Sequence, residues 1–122
     1  MPFTTSGNQV ARGSDVSVLA SGALTTSGAS AAIDVGGAGT LRAQVVVSAV
    51  SGTTPSVTVT IQTSHDAGNT DAWRTAGTAY GALTAAGSSP WQCFAVDRYV
   101  RVSYAVSGTT PSLTTAVLGE AV

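Results

Sequence analysis

Residues 50–56 read VSGTTPS, and residues 106–112 read VSGTTPS again. A catalytic site is seldom written twice in so short a chain; a structural device often is. The match runs beyond the seven letters. At an offset of 56 residues, RAQVVVSAVSGTTPSVTVTIQ (42–62) lies over RYVRVSYAVSGTTPSLTTAVL (98–118). Arg42 falls on Arg98, Val46 on Val102, and Ala49 and Val50 on Ala105 and Val106. The repeated unit is therefore a strand, a connection and a strand.

The connection has readable chemistry. Gly52 and Gly108 can take a positive φ where the chain turns. Pro55 and Pro111 fix φ and lack an N–H, which suits the first residue of a strand. The Ser and Thr hydroxyls can bond nearby main chain in place of a ladder. Six residues exceed the two-residue hairpin optimum and suffice to cross from one sheet to another.

Outward from these segments the pattern is all-β. No apolar stripe of helical period is sustained, and short alternating or Val-rich runs are separated by Gly, Ser, Pro and Asn clusters. Eight strands are predicted, at 16–24, 29–35, 41–50, 56–64, 72–79, 91–96, 98–106 and 113–121. Val57, Val59 and Ile61 alternate with Thr58, Thr60 and Gln62. Val100, Val102, Tyr104 and Val106 share one face, with Arg101, Ser103 and Ala105 on the other. QVVVSAV (44–50) is apolar on both faces, so the second face calls for a neighbour or partner. Trp73, Trp91, Phe94 and Tyr99 are expected to supply much of the core, and Cys93 to be a buried, inert thiol. Eight strands in two sheets suggest an antiparallel β-sandwich of jelly-roll type. There the two SGTTPS connections would be neighbouring corners at one end. One domain, 15–122, follows an N-terminal arm, 1–14, which is polar and without period.

Composition narrows the function. Hydrophobic residues make up 43% and charged residues 9%, with 16 Val, 18 Thr and no Lys. A net charge of −1 gives no electrostatic basis for binding nucleic acid or an anionic membrane surface. So weakly charged a surface resists association poorly, which suits a subunit of an assembly; a GC-rich genome that favours Ala, Gly and Thr over Lys accounts for the same composition equally well. The single Cys excludes an internal disulfide, and no apolar run reaches the ~20 residues of a membrane helix.

Candidate chemistry is sparse. His65-Asp66 has the letters of two triad members but no G-x-S-x-G elbow accompanies it. Asp66, Asn69 and Asp71 are oxygen ligands in a Gly-containing turn, open either to weak Ca²⁺ binding or to a plain turn. The six carboxylates offer no pair flanking a cleft. VGGAG (35–39) is a lone Gly-rich turn with no following helix. No catalytic residue, cofactor or metal is assigned.

Three segments together, SGTTPSVTVTIQTSHDAGNTDAW (51–73), RYVRVSYAVSGTTPSLT (98–114) and VLGEAV (117–122), resemble a recurring pattern of tailed-bacteriophage virion proteins. It consists of an S-G-T-x-P-S corner, a V-x-I-Q-x-S strand, a D-x-G…W turn, an R-Y-V-R-V strand and a second corner. The likeness covers roughly 41–122, with a longer turn here, HDAGNTDAW (65–73). The resemblance implies a small β-sandwich or jelly-roll virion protein. Such proteins decorate capsids, often as trimers at local three-fold positions, or serve in the head–tail connection or tail. The expectation is a non-catalytic decoration protein, made in the host cytoplasm and resident in the virion. It would be a homotrimer bound to the major capsid protein, with no nucleic acid or membrane partner. Assembly contacts are expected at Pro2, Phe3, Asn8 and Arg12 of the arm and at Thr53, Thr54, Pro55, Thr109, Thr110 and Pro111 of the corners. A tail or head–tail component is the first alternative. A carbohydrate-binding module is the second, and requires an exposed Trp73 or Trp91. An enzyme would require His65 beside a Ser in a pocket.

Overall fold

The computed structural model describes residues 14–122. They form eight antiparallel strands: β1 (Ser14–Leu24), β2 (Gly28–Ala29), β3 (Ile33–Asp34), β4 (Thr40–Ser64), β5 (Arg74–Leu83), β6 (Gly87–Ser88), β7 (Gln92–Ala95) and β8 (Tyr99–Ala121). The all-β, antiparallel class is as the periodicity indicates. The boundaries differ in one important way. The segments predicted as 41–50 and 56–64 are one strand, β4, and those predicted as 98–106 and 113–121 are one strand, β8. The region predicted as 29–35 is two short strands, and Ser14, assigned to the arm, opens β1.

All eight strands belong to one hydrogen-bonded sheet, with β1-β8-β4-β5 in order and, off that path, β2 and β3 on β8 and β6 and β7 on β4. Where two sheets of a jelly-roll sandwich were expected, the strands form one sheet, which divides into two arms. Arm I holds residues 40–50 of β4 and 113–121 of β8, with β1, β6 and β7. Arm II holds residues 56–64 of β4 and 99–107 of β8, with β2, β3 and β5. Alternate residues of both arms are buried: Leu41, Ala43, Val45 and Val47 in one, Val57, Val59 and Ile61 in the other. With no helix among the described residues to cover them, the arms cover each other. Tyr80 of β5 donates its hydroxyl to the Ala43 carbonyl across the core at 2.6 Å and tilts against Phe94 of β7, ring centroids 5.9 Å apart. A Cβ at Gly77 would lie 2.6 Å from the Phe94 ring, so this glycine admits the aromatic into the core.

The aromatic expectations are met only in Phe94, which is 1% exposed. Trp91 is 43% exposed, Trp73 and Tyr99 are half-buried, and Tyr80 is the second core ring. Cys93 is exposed, because it alternates with Phe94 on a strand whose inner position Phe94 takes.

The duplication spans the described chain. β1 and β5 are outer strands on β8 and β4; β2 and β3 lie on β8 as β6 and β7 lie on β4. One polar contact recurs with it. The Ser30 amide donates to the Val102 carbonyl, and its hydroxyl accepts from the Val102 amide, both at 2.8 Å. Ser89 does the same to Val45, both at 2.9 Å. By this contact the counterpart of Val102 is Val45, not the Val46 that letter alignment pairs with it. The register irregularity between Val47 and Ala49 absorbs one residue and moves Val46 to the outer face.

Candidate interaction surface

The two SGTTPS copies are paired with each other. Thr53 faces Thr109, its own counterpart, while Ser51 faces Ser112 and Ser56 faces Ser107. Antiparallel strands that pair a residue with its repeat are related by a local two-fold axis through that pair. Register shifts on both sides of Thr53 mark where each long strand bends from arm I into arm II. The geometry is duplicated as well. Gly52 and Gly108 have φ of 106° and 117°, and Thr54 and Thr110 have φ of 47° and 46°. A Cβ on Gly52 would lie 2.6 Å from the Thr110 carbonyl oxygen, and one on Gly108 would lie 2.7 Å from that of Thr54. Each glycine therefore lets the two backbones touch.

Positive φ is ordinary for glycine but costly for a β-branched residue. Thr54 bears it while donating its hydroxyl to the Thr53 carbonyl at 2.8 Å. The result is a neutral, solvent-facing patch in which Thr53, Thr54, Thr109 and Thr110 are exposed and Pro55 and Pro111 are half-buried beside them. All six corner residues expected as contacts are thus brought together. Pro2, Phe3, Asn8 and Arg12 lie outside the described residues.

A second feature escaped the sequence reading. On the outer face of arm I, Leu118 pairs with Gln44, and Ala116 with Val46. Leu118 and Trp91 are each 43% exposed. The Arg42 guanidinium lies 5.2 Å from the centre of the Trp91 ring and bonds Glu120 at 3.0 Å. The apolar second face of QVVVSAV carries part of the signal for this patch; nothing in the sequence joins it to Leu118 or Trp91.

The turn 65–73 is closed on itself. Asp66 Oδ1 accepts from the amides of Asn69 and Asp71, both at 3.1 Å, and Oδ2 from the amide and hydroxyl of Thr70 at 2.9 and 2.6 Å. The Thr70 hydroxyl and amide hold the Asp66 carboxyl far below the ordinary carboxylate range. Asp71 is lowered first by the His65 amide and then by Arg74. Arg74 also pairs with Asp97. Fully buried Ser64 ties the turn down, accepting from Gly68 N at 2.9 Å and donating to the Asp71 carbonyl at 2.6 Å. The donors that satisfy Asp66 are the turn's own groups and the Ser64 hydroxyl, so its carboxylate is engaged in holding the loop and not His65. Among the described residues no group of three or more His, Cys, Asp or Glu is placed to hold a metal ion. An open concavity of about 380 Å³ is lined by Thr63, Arg74, Thr75, Asp97 and small neighbours, without His65 or any Ser.

No protein-family model matches the chain, and no curated protein matches it in sequence.

Proposed function

We propose that this is a non-catalytic virion protein of a tailed bacteriophage that decorates the capsid, binding the major capsid protein on the outer shell surface and stabilising it. The observation that carries the reading is the paired corner. Identical Thr-Thr-Pro segments stand side by side, solvent-facing, on backbone that disfavours β-branched side chains. A surface of this kind suits binding better than chemistry, being neutral, firmly held and free of titratable groups. The likeness of residues 41–122 to the virion pattern supports the choice of partner. A homotrimer would sum weak contacts through effective concentration, each interface burying on the order of 1,200–2,000 Å².

The exposed Trp91 ring supports a second reading, a carbohydrate-binding module. Light scattering of the protein alone, followed by cosedimentation with purified expanded capsids, separates the two. Decoration predicts a trimer that sediments with capsids in stoichiometric amounts and loses binding when Thr54 and Thr110 are both changed to Gly. Indifference to capsids with binding to a polysaccharide, abolished by Trp91→Ala, would select the second reading. A few copies per particle would move the protein to the tail or head–tail connection.

A further inference from the structure

The two halves, residues 14–64 and 74–121, contribute four strands each, and every strand pairing joins a strand of one half to a strand of the other. β1, β2 and β3 all pair with β8; β5, β6 and β7 all pair with β4; β4 pairs with β8. Neither half contains a ladder of its own. The core is shared between the halves as well, with Val45, Val57, Val59 and Ile61 of the first half in one cluster with Phe94, Val100, Val102 and Val117 of the second. This is the architecture of an intertwined two-fold dimer whose subunits have been joined in tandem. The junction is the turn 65–73, held by the Asp66 hydrogen bonds.

We propose that the halves recognise each other in trans, so that a second copy of this chain is a partner reached by exchange of halves. Every ladder can form equally well between half one of one chain and half two of another, and only the turn 65–73 must open. In the intact chain the turn holds the halves at high effective concentration and favours closure of each chain on itself. Exchange needs no new surface, and the smallest closed ring is a dimer with two complete copies of the fold.

The direct test removes the turn. Thr63 and Arg74 are cross-strand partners, so a chain lacking residues 65–73 cannot bring β5 back onto its own β4. Such a chain cannot close on itself, so by light scattering it should have twice the mass of the parent under the same conditions, with the parent far-UV spectrum; a folded protein of the parent's mass overturns the proposal. Should that variant fail to fold, the full chain with a protease site inserted between Gly68 and Asn69 decides. Cut after folding, its two pieces should stay together on gel filtration. Refolded as a mixture of light and heavy-isotope protein, they should give four pairings in near-equal amounts by native mass spectrometry. Pieces that separate on cutting, or do not re-pair, overturn it.

Discussion

On their inner faces the arms are close counterparts. Arm I buries Leu41, Ala43, Val45, Val47, Leu113 and Val117, and arm II buries Val57, Val59, Ile61, Val100 and Val102. On their outer faces they part. Arm I shows Val46, Ala116, Leu118 and the Trp91 ring. Arm II shows Thr58, Thr60, Gln62 and Ser103, with Arg101 bonded to Gln62 at 2.8 Å and lying 4.7 Å from the centre of the Trp73 ring. A packed interior admits few volumes, so both inner faces keep Val, Leu and Ile at matching places. Solvent sets no such limit. At the corner an outward-facing stretch of seven residues stays identical in both copies, and there the two backbones touch.

That comparison can be broken by paired substitutions. The largest effects fall on the inner faces: Leu41→Ala in arm I and Ile61→Ala in arm II should each cost about 2–5 kcal/mol in urea unfolding. Both should lower stability in one cooperative transition. Two separate transitions would show that the arms do not share a core. Next come Gly52→Ala and Gly108→Ala, each forcing a Cβ onto the opposite copy's backbone at positive φ. Each should cost about 2–3 kcal/mol, and near equality is the point. If one is tolerated, the local two-fold is wrong at that position.

Smaller still are Ser30→Ala and Ser89→Ala. Each leaves a strand amide, that of Val102 or Val45, without its hydroxyl acceptor, for about 1–2 kcal/mol. A cost confined to one of them would separate the two contacts. The smallest effect is on acid stability. Asp34, Asp66 and Asp71 all titrate below the ordinary value of 3.8 in the folded chain: Asp34 through Arg98 and the Gly36 amide, Asp66 through Thr70, Asp71 through the His65 amide and Arg74. A depressed folded pKa means the unfolded chain binds protons first. Their contribution is present above about pH 4 and is lost as pH falls through the lower folded values. The melting temperature should be flat from about pH 5 to 7 and decline below about pH 4. Asp66→Asn should lower it at neutral pH and make the decline shallower; an unchanged slope would mean that the Asp66 web contributes nothing.

Much of the fold was legible because period-two alternation is a direct readout of one buried face. Val57-Thr58-Val59-Thr60-Ile61 and Val100-Arg101-Val102 sit as their pattern states. The continuity of β4 and β8 was hidden because Gly and Pro mark a bend inside a strand with the same letters as a loop between strands. The exchange of Val45 for Val46 was hidden because a one-residue irregularity leaves no compositional trace. One signal was present and unread: Gly22-Ala23-Leu24-Thr25 recurs as Gly81-Ala82-Leu83-Thr84, extending the duplication toward both first strands. The corner residues were legible as neighbouring devices at one end, while their residue-for-residue pairing inside two continuous strands was not, since pairing at long range is a property of topology. Trp91 and Cys93 were misplaced because apolar character was weighed above strand phase.

The most direct measurement is a cross-link at the axis. With Cys93 changed to Ser, Thr53→Cys and Thr109→Cys would place two thiols on directly facing residues, at a spacing compatible with a disulfide. Mild oxidation at low protein concentration should give a bond within each native chain, read by mass spectrometry after non-reducing digestion. Free thiols, with the protein still folded, would contradict the paired corner and the two-fold built on it.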